Sequence, residues 1–143
     1  MIWTEYMEKA RITAVYPIRW RVAYPALGLI GELIELFYNH SIDEAGDVCW
    51  YIANLSIDLG FVPELKEHKG QDLIFTIGQL AEATKRHLRE DNEDKISVIK
   101  ECTEKIMQYI RKAFDLEKVL ERNIQKLEDR KARGVLKGSG DDR

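Results

Sequence analysis

Two pairs of acidic residues lie inside otherwise apolar segments, and they constrain the fold more than any other feature. Glu32 and Glu35 belong to the stretch GLIGELIEL, and Glu44 and Asp47 belong to EAGDVCWYIA. Within each pair the residues are three positions apart, so both side chains project from one face of a helix. If the two helices pack antiparallel, the four carboxylates converge, and a bound divalent cation would relieve their repulsion. The sequence therefore predicts a metal site between two helices.

The rest of the chain also has a helical pattern. Apolar periodicity predicts helices at 3–15, 27–38, 42–59, 73–89, 95–114 and 116–133. Pro17 and Pro25 bracket a short connection, and Ser41 with Glu44 forms an S-x-x-E capping box that starts the third helix, which Gly60 ends. Because no segment alternates with period two over a strand's length, we expect an all-α fold.

A faint internal repeat relates two helical hairpins. The stretch IGELIE at 30–35 aligns with IGQLAE at 77–82, and the E-x-x-D motif at 44–47 aligns with the E-x-x-E motif at 101–104. The second copy keeps Glu82, Glu101 and Glu104, but it has Gln79 in place of Glu32 and Gln108 in place of Tyr51. Two amphipathic hairpins could also resemble each other by chance. We predict a four-helix bundle of two hairpins with additional N- and C-terminal helices, forming one domain over 1–133, and a flexible basic, glycine-containing tail over 134–143.

Composition limits the classes of protein to which the chain can belong. Its 143 residues are 45% hydrophobic and 33% charged, with a net charge of −3, which fits one compact domain and shows no basic excess for nucleic acid. The charged N-terminus and the absence of an apolar run of about 20 residues argue against secretion or a membrane span. Cys49 and Cys102 lie in apolar helical patterns and are expected as core thiols in the cytoplasm, although a disulfide is the alternative.

The candidate ligands are carboxylates only. His40, His68 and His87 have no ligand spacing to the acids and are interpreted as turn or surface residues. Zinc and di-iron sites usually include imidazole or thiolate, whereas oxygen-only sites suit Mg²⁺, Mn²⁺ or Ca²⁺. Because protein-bound Mg²⁺ is often completed by substrate phosphates, Mg²⁺, with Mn²⁺ as a possible substitute, is the expected cofactor of a phosphate chemistry.

The two acidic motifs and the closing run VLERNIQKLEDRKARG at 119–134 resemble the MazG-like all-α nucleoside triphosphate pyrophosphohydrolases. That superfamily includes the dimeric dUTPases, the dCTP pyrophosphatases and phosphoribosyl-ATP pyrophosphohydrolase. The resemblance implies that Glu32, Glu35, Glu44 and Asp47 bind Mg²⁺ and are catalytic, and that a (d)NTP is cleaved to its monophosphate and pyrophosphate. The extra helical region at 64–112 resembles the fused layout of the dimeric dUTPases more than a minimal MazG protomer. The eight residues between Glu35 and Glu44 make the hairpin shorter than is usual in the family.

Five further residues are candidates for substrate binding, and each also has a structural interpretation. They are Tyr51, Asn54, Asn123, Lys126 and Arg130. Tyr51 and Asn54 continue the helix face of Asp47, but they could equally be a core aromatic and a buried amide. Lys126 and Arg130, with Arg133 and Lys137, could bind phosphates or could form an ordinary basic helix end. Glu44, likewise, could serve only in the capping box.

We therefore expect a cytoplasmic Mg²⁺-dependent nucleoside triphosphate pyrophosphohydrolase that removes non-standard or surplus nucleotides and forms a homodimer or homotetramer. Its partner would be the nucleotide, with no nucleic acid and no membrane. A phosphoribosyl-ATP-type or nucleotide-sugar pyrophosphohydrolase is a second enzyme interpretation. A catalytically silent helical bundle, acting as a binding or assembly module, is the alternative from another class.

Overall fold

The computed structural model describes residues 1–70, 72–90 and 93–135, and over these ranges the chain is helical without a strand. The helices are α1 (Trp3–Ile12), α2 (Ala23–Tyr38), α3 (Ile42–Leu59), α4 (Leu73–Glu90), α5 (Asp94–Ala113) and α6 (Leu116–Ala132), with a 3-10 turn at Ile18–Trp20 between α1 and α2. The all-α prediction is confirmed. The predicted tail, including Lys137, lies outside the described residues from position 136 onward.

The helices pair as two hairpins that pack side by side. The most extensive contacts join α2 to α3 and α4 to α5, and the two hairpins meet through α2 with α4 and α3 with α5. The terminal helices α1 and α6 both pack on α3, which is consequently buried along most of its length. This arrangement agrees with the predicted bundle of two hairpins with additional terminal helices.

Local signals start and end α3 where the sequence predicts. The Ser41 hydroxyl accepts a hydrogen bond from the Glu44 backbone N–H at 3.3 Å, which satisfies one of the unpaired donors of the first turn. At the other end Gly60 adopts a φ of 82°, and the N–H of Phe61 bonds back to the carbonyl of Ser56 at 3.0 Å. Because a left-handed residue and this backward bond terminate a helix, Gly60 ends α3 as expected.

The start of α2 differs from the prediction. It begins at Ala23, not at residue 27, and Pro25 lies inside its first turn. The first-turn N–H groups of a helix have no intrahelical acceptor, so a proline there costs no hydrogen bond. The break occurs instead at Val22, whose φ of 67° belongs to a tight turn closed by the Ala23 N–H and the Arg21 carbonyl at 2.7 Å. The interpretation of Pro25 as the end of a connection is therefore wrong.

A buried carboxylate holds the segment between α1 and α2. The Asp58 side chain on α3 accepts the Tyr16 hydroxyl and the Val22 N–H, each at 2.9 Å, and Arg11 approaches it to 2.8 Å. Helix α1 ends at Ile12, three residues before the predicted position, because Thr13 turns back to bond the Ala10 carbonyl and also accepts the Trp50 indole N–H at 2.8 Å. These contacts fix α1 over α3.

The core is continuous from α1 to α6 and contains both thiols. Trp50, Ile52 and Leu55 of α3 are fully buried, and Cys49 and Cys102 are buried and free. The interpretation of the cysteines as core residues is confirmed. Within the described ranges no helix combines the length and apolar character needed to cross a bilayer.

Candidate functional site

Three of the four motif acids converge in the α2–α3 hairpin. The three-residue turn at 39–41 folds α3 back along α2 and places Glu32 opposite Glu44 and Asp47. One carboxylate oxygen from each of Glu32, Glu44 and Asp47 lies within 4.8 Å of the other two. The convergence that the i,i+3 spacing predicts is therefore present. Glu35 faces the same cleft but is not part of this group of three.

The cleft over this acid cluster has two walls of opposite charge. Its volume is about 810 Å³, within the usual range of small-molecule sites. One wall, from α2 and α3, carries the acids, and the other, from α6, carries basic residues. The lining side chains and backbone belong to Gly31, Glu32, Glu35, Asn39, Ser41, Asp43, Glu44, Asp47, Lys126, Arg130 and Arg133. An acidic wall facing a basic wall is suited to a metal ion bound together with an anionic ligand.

Asp47 is the most buried member of the cluster. It is 7% exposed, and the ammonium of Lys126 lies 2.6 Å from its Oδ1. Burial raises the pKa of Asp47 to about 6, and the repulsion of Glu44 adds to this, while Lys126 and Arg130 pull the pKa down. The effect of burial on the pKa is larger than the effect of Lys126. The protein alone therefore does not fully stabilise the negative charge of ionised Asp47.

The raised pKa makes a testable contribution to stability in metal-free protein. Between the unfolded pKa of 3.8 and the folded pKa of about 6, the folded state binds the extra proton, so the free energy of unfolding falls as pH rises. At about 1.4 kcal/mol per unit, the loss across this window is about 2–3 kcal/mol. Urea unfolding of the wild type and Asp47→Asn in EDTA at pH 4 to 7 should show the wild type losing this much relative to the variant. A difference that stays constant with pH would contradict the expectation.

The donor set fits a hard divalent cation. All three groups are carboxylates, and ligands on opposite sides of one Mg²⁺ lie about 4 Å apart at bond lengths of about 2.1 Å. The three carboxylate oxygens lie within 4.8 Å of one another, which is close enough for one divalent ion to be shared among them after the side chains adjust. Glu32, Glu44 and Asp47 could hold the ion, and Glu35 is near enough to the cleft to hold a second ion or a water.

Two of the predicted substrate residues lie outside the cleft. Tyr51 is 3% exposed, and its ring packs directly on Gly28 of α2, where an added Cβ would lie 2.1 Å from the ring. Asn54 is fully buried, accepts a hydrogen bond from Arg11 at 3.1 Å and donates to the Trp50 carbonyl. The helix face of Asp47 does continue through both residues, but α1 and α2 cover it beyond the first turn. The alternative interpretations, a core aromatic and a buried amide, agree with these positions.

Of the three substrate-binding candidates on α6, two line the cleft and one does not. Lys126 and Arg130 line the cleft, and Arg130 is only 4% exposed. Asn123 instead is buried one turn earlier, where it accepts the Tyr6 hydroxyl at 2.7 Å and packs against Gly46 of α3. Asn123 therefore holds α1, α3 and α6 together rather than facing the cleft.

The sequence interpretation did not include several cleft residues near the α2–α3 turn. Asn39, Ser41 and Asp43 all contribute to the lining. Asp43 also bonds Arg122 of α6 at 3.0 Å, which ties the turn to the basic wall. The signal that could have identified them is their place in the turn that joins the two acidic motifs, since such a turn must border the site.

The second hairpin lacks an equivalent open acid cluster in the described part of the chain. Glu104, the counterpart of Asp47, is 3% exposed and accepts the Glu64 N–H at 2.8 Å, and His68 Nε2 lies 3.1 Å from it. Gln108, the counterpart of Tyr51, accepts the His68 N–H at 2.7 Å. The connector between α3 and α4, residues 61–70, therefore covers this face of α5. His68, interpreted as a turn or surface residue, lies in this connector, and its side chain is only 10% exposed.

A stability prediction follows from the connector contacts. Gln108→Ala removes the acceptor of the partly buried His68 N–H together with a donor to Glu67. An unsatisfied donor costs about 1–3 kcal/mol when it is buried, so a loss near the lower end is expected. Urea unfolding should show this loss, and limited trypsin digestion should cut faster after Lys66. Gln125→Ala, at an exposed position on α6, is the matched control and should change neither measurement. Equal stability of the two variants would mean that the connector is not held by Gln108.

Comparison with protein-family models, curated proteins and solved structures gives no match to this chain.

Proposed function

We propose that this protein is a Mg²⁺-dependent nucleoside triphosphate pyrophosphohydrolase that converts a (d)NTP to the (d)NMP and pyrophosphate. The observation that carries the proposal is the pairing, in one cleft of about 810 Å³, of three carboxylates within 4.8 Å of one another with Lys126, Arg130 and Arg133 on the opposite wall. A triphosphate with its metal ion has the complementary distribution of charge. The motif resemblance to the MazG-like enzymes supports the same chemistry.

The acidic wall and the basic wall have different roles in the proposed reaction. Glu32, Glu44 and Asp47 would hold the ion, and a bound ion would neutralise phosphate charge and lower the pKa of a water for attack on phosphorus. Lys126 and Arg130 neutralise the phosphate oxygens from α6, and the guanidinium of Arg130 can bind two oxygens at once. The water oxygen forms a bond to phosphorus at the α–β anhydride, the anhydride P–O bond breaks, and a cleft carboxylate such as Glu35 takes the proton of the water.

The biological setting is part of the proposal. Two free buried thiols support a cytoplasmic protein, for which clearing non-standard or surplus nucleotides is a suitable role. Exposed apolar side chains on α2 and α4 support a homodimer or homotetramer, since surfaces of this kind are typical of interfaces. They are Leu27, Ile34, Phe37, Tyr38, Ile74, Phe75 and Leu88.

The test is a panel of canonical and modified (d)NTPs, with phosphoribosyl-ATP and nucleotide sugars included, incubated with Mg²⁺, Mn²⁺ or EDTA. We expect monophosphate and pyrophosphate, identified by ³¹P NMR, only in the presence of metal. Release of inorganic phosphate would assign a different bond and contradict the proposal. The absence of turnover of every compound, with no metal-dependent rise in melting temperature, would favour a silent binding module.

A further inference from the structure

Lys126 reaches from α6 to the acid cluster and forms an ion pair with Asp47, the most buried member of that cluster. Its Nζ lies 2.6 Å from Asp47 Oδ1, across 79 positions of sequence, and its side chain is only 20% exposed. The other α6 cations with known ion pairs bond elsewhere: Arg122 bonds Asp43 near the turn, and Arg133 bonds Asp129 one turn back on its own helix at 2.9 Å. The ammonium of Lys126 therefore lies against Asp47 in the cleft that both residues line.

A divalent ion and this ammonium cannot share Asp47 without strong repulsion. An ion bound to the Asp47 oxygen at about 2.1 Å would lie within about 5 Å of an ammonium that contacts the same oxygen. Two like charges at that distance in a partly buried site oppose each other strongly. Lys126 can relieve this repulsion without any movement of α6, because its four methylene groups let Nζ swing several ångströms into the cleft.

We propose that Lys126 is an internal counterion that neutralises Asp47 in the metal-free protein, gives way when a divalent cation binds, and then pairs with the anionic ligand in the cleft. The exchange makes metal and anion binding cooperative, because each ligand removes a cost of binding the other. The pairing of Lys126 with an anionic ligand rests on the proposed function. The competition between Lys126 and the metal rests only on the acid cluster.

A fixed structural salt bridge is the competing explanation, and the two make opposite predictions for metal affinity. If Lys126 only orients Asp47, its removal weakens metal binding or leaves it unchanged. If Lys126 competes with the metal, its removal strengthens binding. The comparison needs a neutral side chain of similar length, for which Lys126→Met is suitable, and a control for the general loss of one positive charge. Lys118→Met, at an exposed position on the first turns of the same helix, is that control.

The experiment measures Mn²⁺ affinity without nucleotide by electron paramagnetic resonance for the wild type, Lys126→Met and Lys118→Met, with circular dichroism as the check of folding. We expect Lys126→Met to bind Mn²⁺ about tenfold more tightly than the wild type, since about 1.4 kcal/mol of competition is removed, and Lys118→Met to match the wild type. Equal or weaker binding by folded Lys126→Met overturns the counterion proposal and leaves the metal site standing. No Mn²⁺ binding by any of the three proteins overturns both.

A second measurement uses the wild-type protein and does not depend on a variant that folds. With ¹³C-labelled lysine, the ε-methylene resonance of Lys126 should shift and sharpen as Mg²⁺ saturates the site, and it should shift again when tripolyphosphate is added. The resonance is assigned in the wild-type protein by through-bond correlation of the labelled side chain with the backbone signals of Lys126. A resonance that stays unchanged at saturating Mg²⁺ would show that the ion pair persists, and the proposal would be wrong.

Discussion

Glu44→Gln is expected to abolish the response of the protein to divalent metal while leaving the fold intact. The substitution removes one charged ligand from the group of three. Changes to residues that only support a ligand already cost about 10–100-fold in metal affinity, so the loss of a ligand should cost at least as much. It keeps the start of α3, because Ser41 bonds the backbone N–H of Glu44 and not its carboxylate. We expect (d)NTP hydrolysis to fall by about 10³, equal to about 4 kcal/mol of lost transition-state stabilisation.

The internal repeat supplies the control for this prediction. Glu101 is the counterpart of Glu44 in the second hairpin and is exposed, so Glu101→Gln makes the same chemical change outside the acid cluster. It should keep the metal-induced rise in melting temperature and the turnover of the wild type. If both variants lose activity equally, or if Glu44→Gln keeps the metal response, Glu44 serves only at the start of the helix and the metal site is misassigned.

Gly28→Ala is expected to cause the largest loss of stability. The new Cβ would lie 2.1 Å from Tyr51 Cε1 and 2.4 Å from Cζ, well inside van der Waals contact, and the ring is buried between α2 and α3. Overpacking of this severity costs about 3 kcal/mol, a large part of the 5–15 kcal/mol that stabilises a typical domain. The melting temperature should fall by about 6–12 °C in a thermal scan.

A neighbouring glycine separates overpacking from helix propensity. Gly31 lies one turn further along α2, and a Cβ there meets no heavy atom within 4 Å. Gly31→Ala should therefore stabilise by up to about 1 kcal/mol, because alanine favours the helix. Replacing the ring as well, in Gly28→Ala/Tyr51→Leu, should cost less than the two single changes added together. Additive effects would show that the loss of stability in Gly28→Ala does not arise from contact with the Tyr51 ring.

Local chemistry explains why so much of the fold could be predicted. Helix order, the tight turn before Ser41 and the end of α3 at Gly60 depend on periodicity and on groups within a few residues of each other. The convergence of Glu32, Glu44 and Asp47 is nearly local as well, because two helices joined by a three-residue turn pack against each other. The start of α2 was missed because a proline in a first turn resembles one that ends a connection.

Burial of a helix face could not be predicted in the same way. Periodicity places Tyr51 and Asn54 on the face of Asp47, but whether that face meets a cleft or another helix depends on where α1 crosses it. Arg11 of α1 covers Asn54 and Gly28 of α2 packs on Tyr51, so only the end of this face near the α2–α3 turn borders the cleft. The covering of Glu104 by His68, from a connector with no helical pattern, is a similar long-range outcome.

From the amino-acid order alone come the helices, the hairpins and the expectation that four acids meet between them, because these depend on spacing along one or two adjoining elements. Three of the four acids do meet, and Glu35 does not join them. The tertiary structure alone decides that Lys126 rests on Asp47 and that Arg130 and Arg133 face the acids. These contacts join residues about 80 positions apart, and only the packing of α6 against α3 brings them within reach. The acids suggest a metal, and the basic wall opposite them makes the cleft suitable for a triphosphate.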